Sequence, residues 1–251
     1  MACDGRVERL LVTLLWRHQS GADRYEVRRA GRAIRLYSNG VFHTQWNPAR
    51  PLAGSVWDLL ALPSLFLAHA APRILVLGLG GGAVVRQLSM LKPGAEIVAV
   101  ELDPVHIGIA HRWFGVGGHG ERVCLADATA WVSAYRGARF DYVVDDLFGH
   151  RDGEAARAVR ADRRWGRAIA SLLAPDGIFV VNHADQREWR ACALRAAGYT
   201  HRRRAALPLY DNVIGVYRRS RLDLDQWDAA LQQCNGLGAS QQRIARRGRA
   251  V

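Results

Sequence analysis

Short apolar runs alternate with segments of helical spacing through the middle of the chain. The runs Ile74 to Leu77 and Ile97 to Val100 are rich in β-branched residues, which predicts buried parallel strands. Between them, residues 83–91 have helical spacing and are followed by Lys92-Pro93-Gly94, a sequence that ends a helix. The pattern therefore predicts a strand, a glycine-rich turn, a helix and a second strand.

The same alternation continues towards the C-terminus. Helices are predicted at 104–114, through Trp131, at 155–173 and at 188–197, and strands at 123–125, 140–144 and 178–181, with a loop at 147–154. Residues 201–206 and 212–217 predict an antiparallel pair at the edge of the sheet. This succession predicts the α/β class, with a doubly wound sheet that binds ligands at the carboxyl ends of its strands.

The N-terminal region has a different period. Apolar and polar residues alternate from Tyr25 to Trp46, with turns at Ala30-Gly31 and Asn39-Gly40, which predicts an antiparallel β-meander. Residues 55–68 are apolar at helical spacing and lead into the first parallel strand. We therefore divide the chain into an N-terminal β domain (1–54), a sheet domain (55–220), and a C-terminal segment (221–251) that contains a short helix (226–233) and a basic tail.

The turn after the first parallel strand indicates a nucleotide-like ligand. Gly78, Gly80 and Gly82 are spaced as GxGxG, and glycine lets the backbone approach a ligand closely. Glu101 ends the next strand, where a carboxylate can accept hydrogen bonds from a ribose diol. An NAD site prefers GxGxxG and a larger gap before its acid, so the spacing is more typical of S-adenosylmethionine (SAM) enzymes.

Composition narrows the classes of function. The net charge is +12, and Lys92 is the only lysine among 35 basic residues. Basic charge favours acidic partners, but no nucleic-acid-binding module is present, so we expect no nucleic-acid binding. The four cysteines are widely spaced with no CxxC, which argues against a metal site and a disulfide framework. No apolar run could span a membrane and no secretory pattern opens the chain, so we expect a cytoplasmic protein without membrane association.

The β-meander followed by ILVLGLGGG, VAVELD, LADA and FDYVVDD resembles the spermidine synthase superfamily. The resemblance extends from about Tyr25 to Tyr217 and implies a class I methyltransferase-type Rossmann-like core behind a small N-terminal antiparallel β domain. It also implies a homodimer, with the N-terminal strands as contacts. The implied cofactor is SAM or its decarboxylated form.

The resemblance assigns cofactor contacts by position. The loop residues Gly78, Leu79, Gly80 and Gly82 would approach the cofactor, and Glu101 with Leu102 would meet the ribose. Asp127 and Ala128 would meet the adenine, and Asp145 would face the methionine-derived end of the cofactor and the reacting amine. These assignments do not by themselves identify the reaction.

This sequence departs from spermidine synthases at several acidic positions. Gly81 stands where GGGDGG has its acid, Phe148 is assigned the place of the second acid of D-S/T-x-D-P, and His43 replaces the glutamine of DGxxQ. A diamine needs a carboxylate at each end because an unpaired buried ammonium is costly. We therefore predict a SAM-dependent methyltransferase acting on a nitrogen or oxygen nucleophile of a small molecule or peptide. A polyamine aminopropyltransferase and a non-catalytic SAM-fold scaffold are the alternatives.

The candidate catalytic residues are Asp145 and His183, at the ends of two parallel strands. Asp145 could orient or deprotonate an amine, or only bind the cofactor's amino group. His183 could be a base, a substrate contact or an ordinary strand-end histidine. The substrate candidates are His43, Trp57, Phe148 and Tyr210, whose aromatic members could form a substrate wall or belong to the core.

Overall fold

A computed structural model describes residues 12–151 and 154–223 and the single positions 225, 229 and 232. Two sheets dominate it. The first has four antiparallel strands in the order β1 (Val12–Ser20), β2 (Asp23–Ala30), β3 (Ala33–Ser38) and β4 (Val41–Trp46). Turns at Gly31 and at Asn39-Gly40 have positive φ, as the sequence predicts for a meander. Most of the helix predicted at 226–233, and the tail that follows it, lie outside the described residues.

The second sheet has seven strands and forms the centre of the fold. Its order is β12-β13-β11-β8-β5-β6-β7, in which β13 is antiparallel to both of its neighbours, β11 and β12, and the other pairs are parallel. Its strands are β5 (Arg73–Leu77), β6 (Glu96–Glu101), β7 (Arg122–Leu125), β8 (Phe140–Asp145), β11 (Leu173–His183), β12 (His201–Ala206) and β13 (Val213–Arg218). The predicted α/β fold with an N-terminal antiparallel sheet is confirmed.

Helices cover both faces of the central sheet. They are α1 (Val56–Ala61), α2 (Ala83–Leu91), α3 (Pro104–Phe114), α4 (Ala128–Ala134), α5 (Arg163–Leu172) and α6 (Gln186–Ala191), with 3-10 turns at Leu62–Phe66 and Leu194–Ala197. Pro63 at the start of the first 3-10 turn explains why the helix predicted at 55–68 is divided, since proline cannot continue the hydrogen-bond ladder. Asp103, Asp127, Asp162 and Asp185 cap α3, α4, α5 and α6 through their side chains.

Alternation along the parallel strands divides the core into two clusters. Val144 and Val180 pack in the cluster beneath α1, α2, α3 and the meander. Val143 and Val181 pack in the other cluster, with α4 and α5. Because successive strand residues face opposite sides, consecutive residues at the end of one strand also face opposite sides of the sheet.

The segment predicted as a loop and the start of a helix is a β-hairpin. β9 (Phe148–Arg151) pairs with β10 (Glu154–Arg157), and α5 begins only at Arg163. Ala155 and Ala156 favour helix, but Arg157 is buried and bound to the central sheet, which holds the segment extended. Tertiary contacts therefore override local propensity here.

Candidate functional site

A crevice of about 530 Å³ lies between the meander and the carboxyl ends of the central strands. This is where ligands bind in doubly wound sheets. The predicted site residues that line it are His43, Trp57, Gly78, Leu79, Gly80, Glu101, Leu102, Asp127, Ala128, Phe148 and Tyr210. Gly82, Asp145 and His183 do not line it.

The glycine turn leaves its backbone open to the crevice. Gly78 has φ +87°, and a Cβ there would stand 2.3 Å from the backbone oxygen of Asp146. Gly80 has φ +52°, which also favours glycine. The turn thus forms a cradle that side chains would fill. Gly82 instead caps α2, and its Cα faces Val116, which a Cβ would meet at 2.4 Å, so its role is packing.

Glu101 holds the glycine turn through its carboxylate. One oxygen accepts from the backbone N–H groups of Leu79 and Gly80 at 2.8 and 3.1 Å, and the other accepts from those of Leu102 and Asp103 at 2.9 Å each. Burial opposes ionisation, but the hydrogen bonds and the nearby His106 lower the pKa of Glu101 to about 2. The contact with a ribose stays a prediction.

We call the end of the crevice formed by the glycine turn, Glu101, Leu102, Asp103, His106 and Asp127 the donor side, because the predicted cofactor would bind there. This side is more open at Asp127. Asp127 is exposed and caps α4, and the Thr129 hydroxyl and backbone N–H groups hold its pKa below the usual range. Leu102 beside it is 66% exposed. An exposed apolar side chain next to a hydrogen-bonding carboxylate suits an adenine, whose faces are apolar and whose exocyclic amine is a donor.

Two side-chain hydrogen bonds missed by the sequence analysis fix the meander against the donor side. The Tyr25 hydroxyl donates to Asp103 at 2.7 Å, and the Ser38 hydroxyl is 2.9 Å from Nε2 of His106. Burial and the hydrogen bond to Asp103 raise the pKa of Tyr25. Because these contacts join residues 78 and 68 positions apart, no local pattern announces them.

Asp145 differs most from its prediction. It is fully buried on the side of the sheet that faces α5, where it accepts from Nε1 of Trp165 at 2.8 Å. Its second partner is Arg157, whose guanidinium lies 2.8 Å away with its side chain 4% exposed. Asp145 therefore stabilises the fold and anchors the β9–β10 hairpin, and it does not face the crevice.

His183 lies on the same side of the sheet as Asp145. It is fully buried, and its Nε2 is 2.8 Å from the Tyr217 hydroxyl. Burial and the charge of Arg157 lower the pKa of His183 to about 3, so the ring is neutral. Its position supports a role in the core, because it has no access to the crevice.

Asp146 occupies the position expected for Asp145. It lines the crevice, and its Oδ1 accepts from Nδ2 of Asn182 at 2.7 Å. Asn212 in turn donates to Oδ1 of Asn182 at 2.9 Å, which fixes that amide. Burial, together with the charges of Asp145 and Glu101, raises the pKa of Asp146 to about 6 against the hydrogen bond from Asn182.

This placement changes the comparison with the D-S/T-x-D-P motif. If Asp146 takes the place of its first acid, Gly149 and not Phe148 stands at the second. The strand alternation contains the signal, because Val144 and Val180 share the crevice side with Asp146 and Asn182.

The crevice beyond Asp146 is mostly aromatic. We call this region the acceptor half and define it by Phe42, Trp57, Phe148, Asn182, Tyr210 and Asn212, which all line the crevice. Phe42 packs edge-on against Trp57 with ring centroids 5.2 Å apart. His43 lies nearer the donor side, with its ring 5.4 Å from that of His106. The structure thus brings the predicted aromatic substrate residues together.

The described residues that line the crevice include acids but neither arginine nor lysine. Among the described side chains, the ionisable acids that line it are Asp23, Glu101, Asp103, Asp127 and Asp146, and no arginine or lysine lines it. A site of this kind attracts cations and offers no ionic partner to a ligand carboxylate. Asp103 is close enough to His106, at 3.8 Å, to form an ion pair when the ring is protonated.

Comparison with known proteins gives two groups of relatives. Polyamine aminopropyltransferases from Vibrio vulnificus and Chromobacterium violaceum are 32% and 28% identical over 126 and 169 residues, which is 49% and 65% of this chain. The matches span 41% and 63% of those relatives' own length. The eEF1A lysine and N-terminal methyltransferase of Mus musculus is 28% identical over 132 residues, 49% of this chain and 19% of the relative. No family model matches the chain.

Solved structures show the same two groups. A probable spermidine synthase from Corynebacterium glutamicum has a TM-score of 0.69 at 18% identity, covering 88% of both chains. Spermidine synthase from Thermotoga maritima has a TM-score of 0.67 at 16% identity, covering 89% of this chain and 78% of that one. Human methyltransferase-like protein 13 in complex with SAH has a TM-score of 0.56 at 20% identity, covering 77% and 88%. These similarities confirm that the chain has the fold of the spermidine synthase superfamily and resembles it in sequence.

Proposed function

We propose that this chain is a transferase of the aminopropyltransferase type, which moves an aminopropyl group from decarboxylated SAM to an amine nitrogen. The observation that carries the proposal is the charge of the crevice: acids line it, and none of its described lining residues is an arginine or lysine. SAM has a carboxylate that would need a cationic or N–H partner. The charged groups of decarboxylated SAM are a sulfonium and an ammonium, both cationic. This replaces SAM, the donor expected from the sequence, with its decarboxylated form.

The relatives support the same choice. Most of them are named polyamine aminopropyltransferase, and the TM-scores to spermidine synthases exceed the score to the methyltransferase-like protein. The alternative reaction is therefore better supported than the methyl transfer that the sequence departures favour. Both groups of relatives are transferases by name.

The residues around Asp146 suit this chemistry. An amine nitrogen beside Asp146 attacks the carbon bonded to the donor sulfonium; a nitrogen–carbon bond forms, and the carbon–sulfur pair leaves with sulfur, which becomes a neutral thioether. The proton lost by the nitrogen passes to the Asp146 carboxylate and then to water. Asn182 holds that carboxylate in place, so that alignment, the main requirement of sulfonium chemistry, comes from the fold.

The donor can be tested by calorimetry with decarboxylated SAM, SAM and S-adenosylhomocysteine. We expect decarboxylated SAM to bind roughly 10-fold or more tightly than SAM, the scale of leaving a polar group unpaired. Asp127→Ala should weaken all three ligands alike, since it alters only the adenine side. Tighter binding of SAM than of the decarboxylated donor would contradict the proposal, and binding of neither would favour a non-catalytic scaffold.

A SAM-dependent methyltransferase is the second candidate, and Gly81 favours it. At this position spermidine synthases have an acid, but here a Cβ would lie 2.9 Å from the Phe114 ring and 3.0 Å from Thr44. The space for that acid is therefore filled. Transfer of a labelled methyl group from SAM to an amine or hydroxyl, without transfer from decarboxylated SAM, would establish this second reaction.

A further inference from the structure

The acceptor half of the crevice combines one carboxylate, that of Asp146, with an aromatic lining. Resting on the function proposed above, we propose that the acceptor is a monoamine with an apolar alkyl or aryl substituent, and that diamines are poor acceptors. Such an amine has one cationic end, which Asp146 can bind, and one neutral end.

Asp146 is the carboxylate that a hydrogen bond ties to the acceptor half, through Asn182. The other acids lining the crevice have partners elsewhere: Glu101 holds the glycine turn, Asp103 and Asp127 cap α3 and α4, and Asp23 accepts from Asn39 in the meander. Asp58 lies near Tyr210, but it does not line the crevice. Its oxygens already accept from Gly54 and Ser55 at the start of α1 and from Gln87 of α2. A second ammonium in this half would therefore lack a carboxylate partner.

Two of the four aromatic rings of the acceptor half already face an arginine. An ammonium can bind over an aromatic face, but two of these faces already have a cation. The Arg35 guanidinium lies 5.7 Å from the Phe42 ring centroid, and that of Arg157 lies 5.9 Å from the Phe148 centroid. A further cation near Phe42 would meet the charge of Arg35, whereas the charge of Arg157 is offset by Asp145 and Glu188. The distal ammonium of a diamine is thus disfavoured by desolvation in this half and, near Phe42, also by repulsion from Arg35.

The same surface suits an apolar group. Trp57 is buried, and Phe42 is 37% exposed and packs edge-on against it, so the wall is preformed and can be covered by an incoming chain. Val56 and Tyr210 extend this wall. Covering such a surface with an alkyl or aryl group removes apolar area from water, which favours binding. The amine nitrogen would then remain beside Asp146.

A matched pair of amines tests the inference by binding alone. Pentylamine and putrescine have the same length and differ only in a terminal methyl or ammonium group. With the protein saturated with 5′-methylthioadenosine, we expect pentylamine to bind roughly 10- to 100-fold more tightly than putrescine, with phenethylamine also binding well. Equal or tighter binding of putrescine would overturn the inference.

A variant pair adds a second test. Phe42→Asp supplies a carboxylate to the distal end and neutralises Arg35, so it should reduce or reverse the preference for pentylamine. Phe42→Leu, its apolar control, should keep the preference. An unchanged preference in a folded Phe42→Asp protein would contradict the inference. Turnover is measured separately. Absence of methylthioadenosine release with every amine would contradict the proposed reaction, and the binding preference would still be tested by the affinities alone.

Discussion

The carboxylates of Asp145 and Asp146 are adjacent in sequence and lie on opposite faces of the central sheet. Asp145 is bound to Arg157 at 2.8 Å within the core, and Asp146 accepts from Asn182 at 2.7 Å in the crevice. The first acid has a partner of opposite charge, whereas burial raises the pKa of the second. One acid therefore serves stability and the other is available for chemistry.

Substitution by asparagine should separate these two roles. Asp145→Asn leaves the buried Arg157 with Glu188, at 2.9 Å, as its remaining acidic partner, and should lower the free energy of unfolding by about 3 kcal/mol. Asp146→Asn removes a carboxylate that the fold disfavours, so stability at pH 7 should be equal or slightly higher. Urea unfolding of both proteins measures this difference.

The two variants should differ in the opposite sense in activity, with the larger loss in Asp146→Asn. Asp146→Asn should reduce transfer by about 10²- to 10⁴-fold, the range for loss of a positioned acid or base. Folded Asp145→Asn should retain most of its activity. A variant Asp146→Asn with full activity, assayed by thioether release, would remove Asp146 from the mechanism.

The sequence predicts the larger features of this molecule because they rest on local periodicity. The parallel strands, the meander and the glycine turn each have a pattern of their own, and the donor side of the crevice follows from them. The choice between Asp145 and Asp146 depends on which face one strand position takes, and a shift of one residue exchanges the two. The face is fixed by the packing of Val144 under the meander, which is a tertiary contact, and alternation from Val144 then places Asp146 in the crevice.

The β9–β10 hairpin was beyond prediction for a different reason. Its Ala155-Ala156 pair favours helix, and only the buried contact between Arg157 and Asp145 explains the extended backbone. That ion pair joins positions 12 residues apart, and sequence alone gives no geometry for it. The links from Asn182 to Asp146 and from Tyr25 to Asp103 are equally non-local.

The pKa of Asp146 predicts a specific pH dependence. A base must be ionised, so kcat/KM should rise with pH through about 6, and Asp146→Asn should lack this limb. Stability should change in the other direction. Because the folded-state pKa is raised from 3.8 to about 6, the folded protein holds this proton more strongly, and the contribution of Asp146 to stability falls as pH rises between those values. The pH profile of kcat/KM and urea unfolding at several pH values, for the wild type and Asp146→Asn, measure the two effects.

Gly78 should tolerate no side chain. In Gly78→Ala the new Cβ would stand 2.3 Å from the Asp146 backbone oxygen, at a φ of +87° that alanine rarely adopts. We expect a loss of roughly 1–3 kcal/mol in stability and a clear loss of donor affinity, because Asp146 must move. Gly149→Ala, in β9, is the matched control and should change little, because a Cβ added there would meet no atom within 4 Å. Donor binding in Gly78→Ala equal to that of the control would show that the turn can rearrange.

Glu101 should be required for the shape of the donor site as well as for any contact with a ribose. In Glu101→Gln the amide nitrogen cannot accept hydrogen bonds, so two of the backbone N–H groups that the carboxylate holds lose their acceptor. We expect a loss of about 1–3 kcal/mol in the free energy of unfolding and weaker donor binding. The pKa of Glu101 is lowered from 4.5 to about 2, so its contribution to stability is present above pH 4.5 and is lost as pH falls towards 2. The difference in stability between the wild type and Glu101→Gln should therefore shrink over that interval. Acid titrations followed by circular dichroism measure it, and a difference that stays constant down to pH 2 would mean that the carboxylate is not held as the structure shows.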